Sequence, residues 1–147
     1  MNRRRSFLKK TLLGSSAALL VPPALWANPH PILGANDRIR VGLIGCNGMG
    51  FSNLSAFMQL QDMEVAALCD VDERVLDRRE AALLEAGRKK PVRYKDYRKL
   101  LDQQDIDVVI IGTPDHWHCL QLVHALQAGK DVYCEKPVAN SIPEADA

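Results

Sequence analysis

A chain of 147 residues, 47% hydrophobic and 25% charged, has the balance of one globular domain with a core, not of a disordered or fibrous chain. Its first 27 residues hold five basic residues and no acid; setting them aside leaves 14 basic against 18 acidic residues, a net charge of −4. That balance argues against a nucleic-acid surface.

Residues 1–27 read as an export leader. Arg3, Arg4, Arg5, Lys9 and Lys10 precede an apolar run over 11–21 of signal-peptide length, shorter than the roughly 20 apolar residues a bilayer span needs. Within it, "RRSFLK" from Arg4 to Lys9 resembles the twin-arginine export signal, with Arg3 where that signal prefers Ser or Thr. An ordinary secretory leader or a basic, loosely helical N-terminus is the plainer alternative. The twin-arginine reading implies the translocase as a partner and a periplasmic or exported mature protein. Cleavage is expected after Ala27, although Leu25 replaces the usual small residue. Residues 28–37, with Pro29, Pro31, Gly34 and Asn36, have linker composition.

From residue 38 the pattern becomes regular. Strands are expected at 39–44, 64–69, 92–94, 108–111 and 132–134. Helices are expected at 48–60, with Leu54, Phe57 and Met58 buried; at 73–86, between an Asp72 cap and a Gly87 stop; at 97–101; and at 116–128, with Leu122, Ala125 and Leu126 on one stripe before Gly129. "VVII" at 108–111 is the uninterrupted apolar run of a parallel strand buried on both faces. This alternation implies right-handed βαβ crossovers and a Rossmann-like, doubly wound α/β sheet in the order 3-2-1-4-5.

Behind the first strand, "VGLIGCNGMG" places Gly45, Gly48 and Gly50 before a helix, and Asp70 follows 20 residues after Gly50. Such a turn clears side chains from an anion's path and aims free helix N–H groups at it. The register that fits is Gly45, Asn47, Gly50, with Asn47 replacing the middle glycine. Asn tolerates positive φ, so the turn survives; at stake is how closely the backbone approaches a pyrophosphate. Gly48 relieves the crowding, or the Asn47 amide itself donates to phosphate. Asp70 is placed to accept from the adenosine ribose hydroxyls and to repel a 2′-phosphate, which favours NAD; Arg74 keeps NADP open. A tight structural turn with no ligand, and an Asp70 that only solvates its loop, are the plainer readings.

With "DVVIIGTPDHWH" (Asp107 to His118) and "GKDVYCEKP" (Gly129 to Pro137) added, the chain resembles the N-terminal half of the Gfo/Idh/MocA oxidoreductases. The resemblance runs from Ile39 to the end. It implies pyrophosphate binding at Gly45 and Gly50, the ribose role for Asp70, a cofactor crevice shaped by Thr113 and Pro114, and an E-K-P block of Glu135, Lys136 and Pro137, with Lys136 near nicotinamide and substrate. Asn47 is the one departure. Pro137 disfavours a helical Lys136, and an ammonium there could bind a substrate hydroxyl or stabilise an oxyanion.

His116 and His118 are spaced H-x-H, and on a helix such residues point about 200° apart, so a shared metal is not expected. His118 reads as a crevice-lining or N-terminal-turn residue, and His124 as satisfied or half-exposed. Cys46, Cys69, Cys119 and Cys134 form no C-x-x-C pair and read as small apolar residues near strand ends.

The expected whole is an NAD(P)-binding domain over 38–147, incomplete at five of the usual six strands and lacking the family's substrate domain. The resemblance implies hydride transfer on a sugar or polyol, with a homo-oligomer open for the full-length parent. Redox-neutral glycoside cleavage using NAD, an inactive nucleotide-binding fragment, and a thiol or metal site are the rival readings. As a truncated chain it is not expected to turn over substrate unaided.

Overall fold

The computed structural model describes residues 38–146; the expected leader over 1–27 and linker over 28–37 lie outside the described residues. Five strands, β1 (Ile39–Ile44), β2 (Met63–Cys69), β3 (Val92–Tyr94), β4 (Val108–Ile111) and β5 (Asp131–Cys134), form one sheet in the order β3-β2-β1-β4-β5. Every neighbouring pair is parallel. Ile44 is in register with both Cys69 and Ile111. The loops after β1, β2 and β4 therefore start side by side, at the point where strand order reverses and open α/β sheets take their ligands.

Both faces of the sheet are covered. On one, Val41, Leu43, Val65, Leu68 and Ile110 pack with Leu54 of α1 (Gly48–Phe57) and with Leu76 and Leu83 of α2 (Glu73–Glu85). On the other, Ile44, Ala67, Val109 and Ile111 meet Tyr97 and Leu100 of α3 (Tyr97–Leu101) and Ala125 of α4 (His118–Gln127). β4 alternates its side chains between two cores, which is why its sequence shows no polar position. Each fully buried Leu or Ile here contributes about 1.5–3 kcal/mol of burial energy.

Several boundaries follow local chemistry. Asp72 caps α2, its Oδ1 accepting from the Arg74 N–H at 2.9 Å; Asp96 caps α3 in the same way at 3.0 Å. Gly87, at φ 71°, ends the α2 turn.

Other boundaries depart from expectation. α1 stops at Phe57 instead of Leu60: Met58 caps it and still packs against the core, while Gln59 and Leu60 turn out to solvent, Leu60 at 56% exposed. The helix expected from His116 is divided: Pro114 caps a 3₁₀ turn over Asp115–Trp117, and α4 starts at His118. The buried positions of α4 are His118, Gln121 and Ala125, while Leu126, expected on that stripe, is 57% exposed. β5 pairs with β4 alone among the described residues, with Val132 and Cys134 half-buried and Tyr133 exposed. The four cysteines are free thiols. Cys119 lies in α4 and not near a strand end. A final turn, α5 (Ile142–Ala145), carries Pro143 in its first positions.

Candidate functional site

The β1–α1 loop is shaped by three backbones in close approach. Gly45 sits at φ 83°, and a Cβ there would lie 2.7 Å from the carbonyl group of Gly112 and the amide of Thr113. A Cβ on Gly50 would collide with the Gly45 carbonyl oxygen. Gly50 thus lets α1 start against β1, and Gly112, which sequence reasoning did not single out, gives both room at the end of β4. Asn47 departs from expectation: it is extended, at φ −98° and ψ 167°. Gly48 at φ 45° takes the left-handed position instead. The Asn47 side chain makes no cap hydrogen bond to α1; its Oδ1 accepts from Arg78 Nη2 at 3.0 Å. Asn47, Gly48 and Met49 are exposed, so the start of α1 faces outward with the positive end of its dipole.

Asp70 carries more than a ligand contact would ask. Oδ2 accepts from the Cys46 N–H at 2.9 Å and Oδ1 from the Asp72 N–H at 3.0 Å, so the carboxylate clamps the loops after β1 and β2 together. Each oxygen keeps a lone pair for a further donor. Asp70 lines a cavity of about 480 Å³ with Gly45, Tyr97, Thr113, Pro114, Trp117 and Gln121. Lys95 and Arg98 border the same space. Beside it, Arg74 is held by Asp72 at 3.0 and 3.2 Å. The Arg74 side-chain hydrogen bond keeps the Asp72 carboxyl below the usual carboxylate range. The arginine that left NADP open is therefore engaged, though such an exposed pair is worth little.

The remaining candidates gather beyond β4. The Thr113 hydroxyl donates to Gln121 Oε1 at 2.8 Å. His118 is 1% exposed, with Nε2 2.7 Å from the Thr113 carbonyl and Nδ1 2.8 Å from the Pro137 carbonyl. It is the N-terminal-turn residue of α4 that ties the Thr-Pro turn to the E-K-P block, and it does not line the cavity. Glu135 donates its N–H to the Ile111 carbonyl, and its Oε1 accepts from Asn53 Nδ2 at 2.7 Å. That side-chain hydrogen bond holds its carboxyl below the usual range. Lys136 is exposed, has no ion-pair partner among the described residues, and precedes Pro137 across a cis peptide bond.

The structure thus forms two groups: Gly45, Asp70, Thr113 and Pro114 around the cavity, and His118, Glu135, Lys136 and Pro137 beside β4 and β5. Asn47, Gly48 and Gly50 form the helix start next to the first group. His116 lies exposed in the 3₁₀ turn while both ring nitrogens of His118 face backbone carbonyls, so the two histidines do not converge. His124 is satisfied as expected, 2.8 Å from the Tyr97 hydroxyl. Asn53 and Arg79 were missed. Arg79 donates to the Cys46 carbonyl at 2.9 Å and lies 4.1 Å over the Phe51 ring. Gln121 left one trace in the sequence, a polar residue among the apolar positions of α4.

Backbone cleared for an anion, an outward helix start, and a carboxylate on a cavity wall suit a dinucleotide: donors for phosphate, an acceptor for ribose, room for a base. Comparison with known proteins agrees. Residues 39–147 match the Gfo/Idh/MocA model, an oxidoreductase family with an NAD-binding Rossmann fold. A glycosyl hydrolase family 109 protein of Shewanella baltica is 35% identical over 161 residues, covering 96% of this chain and 35% of that protein. The chain spans about a third of that relative's length. Scyllo-inositol dehydrogenase of Lactobacillus casei, solved with NAD(H) and scyllo-inositol, is similar at a TM-score of 0.65 and 28% identity, over 75% of this chain and 31% of that one. WlbA dehydrogenase of Bordetella pertussis, in complex with NADH and UDP-GlcNAcA, gives 0.65 and 27% over 74% and 32%. With the glycine cradle, the clamped carboxylate and the family match all falling on the same loops, the chain belongs to the Gfo/Idh/MocA oxidoreductases and carries their NAD-binding Rossmann domain.

Proposed function

We propose that the chain is the cofactor-holding part of an exported oxidoreductase that acts on a secondary alcohol carbon of a sugar or polyol. The observation that carries this reading is Asp70 on the wall of a 480 Å³ cavity next to the Gly45 loop. Bound NAD supplies the two-electron acceptor. Gly45, Gly48 and the first N–H groups of α1 receive the pyrophosphate. Asp70 accepts from the ribose hydroxyls, and its charge favours NAD over NADP. Thr113 and Pro114 line the same cavity. Lys136, held by a loop that Glu135 fastens to α1 through Asn53, offers its ammonium to the substrate hydroxyl and to the negative charge that develops on that oxygen.

Support for a sugar or polyol comes from the inositol- and UDP-sugar-bound relatives. Export rests on the arginine-rich leader, read by the twin-arginine translocase. The test is NADH formation from a panel of polyols and sugars by a longer protein that contains this domain. Lys136→Met should cut turnover by about a hundredfold or more while NAD affinity is kept; an unchanged rate removes Lys136 from the reaction. For export, Arg4→Lys with Arg5→Lys should retain a fused reporter in the cytoplasm.

A second reading has its own support. Similarity to a glycosyl hydrolase family 109 protein over 96% of the chain favours redox-neutral glycoside cleavage, in which one sugar carbon is oxidised and then re-reduced. Release of the leaving group from a glycoside without net NADH would select it over the dehydrogenase.

A further inference from the structure

Asn47 occupies the place of the fingerprint's middle glycine, and its side chain is committed elsewhere than to its own helix. Its Oδ1 accepts from Arg78 Nη2 at 3.0 Å, a contact spanning 31 residues of sequence. A guanidinium carries only donors, so the carboxamide oxygen must be the end that faces α2. The Nδ2 amide is thereby turned away from Arg78, and it has no acceptor among the described residues.

Arg78 also differs from the other arginines near it. Arg74 is paired with Asp72, and Arg79 is taken up by the Cys46 carbonyl and the Phe51 ring. Arg78 is exposed and has no carboxylate partner among the described residues. Its contact with Asn47 fixes a donor at the mouth of the loop and leaves a positive charge beside it, both matched to a doubly charged diphosphate.

We propose that Arg78 is a positioning residue for the pyrophosphate site: it orients the Asn47 carboxamide so that Nδ2 donates to a phosphate oxygen. A side-chain donor then replaces the close backbone approach that a middle glycine allows. The inference rests on the reading of the β1–α1 loop as the pyrophosphate site, and it names the ligand class as a diphosphate ester, whatever is attached beyond it.

The test is an NMR titration of the full, nitrogen-labelled chain with NAD, ADP and adenosine, a method that registers millimolar binding. Arg78→Ala, Asn47→Ala and the double variant are compared with the unaltered protein, with melting temperatures as the folding check. Each single variant should lose about three- to tenfold in affinity for NAD and ADP, the worth of one hydrogen bond, and keep its affinity for adenosine. In the Asn47→Ala background, Arg78→Ala should cost less than about twofold more, because its partner is already gone.

Undiminished NAD and ADP binding by Arg78→Ala overturns the proposal. So does a full loss on adding Arg78→Ala to Asn47→Ala, which would make the arginine act by charge alone, or an equal loss for adenosine, which would make it a loop-folding residue. Binding of none of the three by the unaltered, folded chain would instead sink the pyrophosphate reading itself, and this inference with it.

Discussion

Replacing Asp70 with alanine removes two separate things, and their magnitudes distinguish them. The Cys46 N–H loses its acceptor in a residue that is fully buried, at a cost of about 1–3 kcal/mol for an unsatisfied donor. The half-buried Asp72 N–H can turn to water at little cost. At roughly 4 °C per kcal/mol for a domain of this size, the melting temperature should fall by roughly 4–12 °C. Loss of the charged ribose acceptor should weaken NAD by more than about tenfold, one such hydrogen bond being worth about 1.5–3 kcal/mol. Asp70→Asn separates the effects further. Its single oxygen can still serve the Cys46 N–H, so melting should stay above that of the alanine variant, while loss of the negative charge should bring NADP affinity up toward that of NAD. Calorimetric titration with both cofactors, with thermal melting alongside, reads all of these. If Asp70→Ala melts lower yet binds NAD unchanged, the clamp stands and the ribose role is refuted.

Gly50→Ala should weaken NAD binding severely and destabilise the fold by at least about 1–3 kcal/mol, because the added carbon meets the Gly45 carbonyl and not a flexible side chain; denaturant melts that match the unaltered protein would contradict the three-backbone contact. His118→Ala leaves the Thr113 and Pro137 carbonyls without their shared partner, so hydrogen exchange should rise at both the Thr-Pro turn and the E-K-P block; a rise at only one would mean that the ring does not couple them. Burial pushes the Cys69 thiol up to about 12 and the Cys134 thiol up to about 11, and it raises the Cys46 thiol as well. All three should therefore resist alkylation of the folded chain at about pH 8, where so few are thiolates, and rapid labelling of Cys46 or Cys69 without unfolding would disprove that environment.

The parallel sheet was legible because burial on both faces forces uninterrupted apolar runs such as Val108–Ile111, and because Asp72 and Gly87 punctuate α2 by local chemistry. Extents set by packing were not legible. The end of α1 and the buried stripe of α4 depend on what lies across the interface, which kept Ala125 on that stripe as expected but left Leu126 exposed and added His118 and Gln121. At the site, residue type singled out Gly45, Gly50 and Asp70 as expected cofactor contacts, but a pattern cannot say what else a carboxylate is holding. The contact of Asn53 with Glu135 spans 82 residues of sequence, and that of Arg78 with Asn47 spans 31; only the folded sheet brings them together. Asn47 shows the limit most clearly: its tolerance of positive φ was the wrong reason for the loop to survive, since Gly48 bears that conformation.

The most direct measurement is titration of NAD into the folded full chain with backbone amides followed one by one. Saturable shifts should concentrate at Gly45 to Gly50, at Asp70 and at Thr113, with NADP weaker than NAD by about tenfold or more. A folded chain whose amides at those positions stay unmoved in millimolar NAD would contradict the assignment of this crevice to the cofactor.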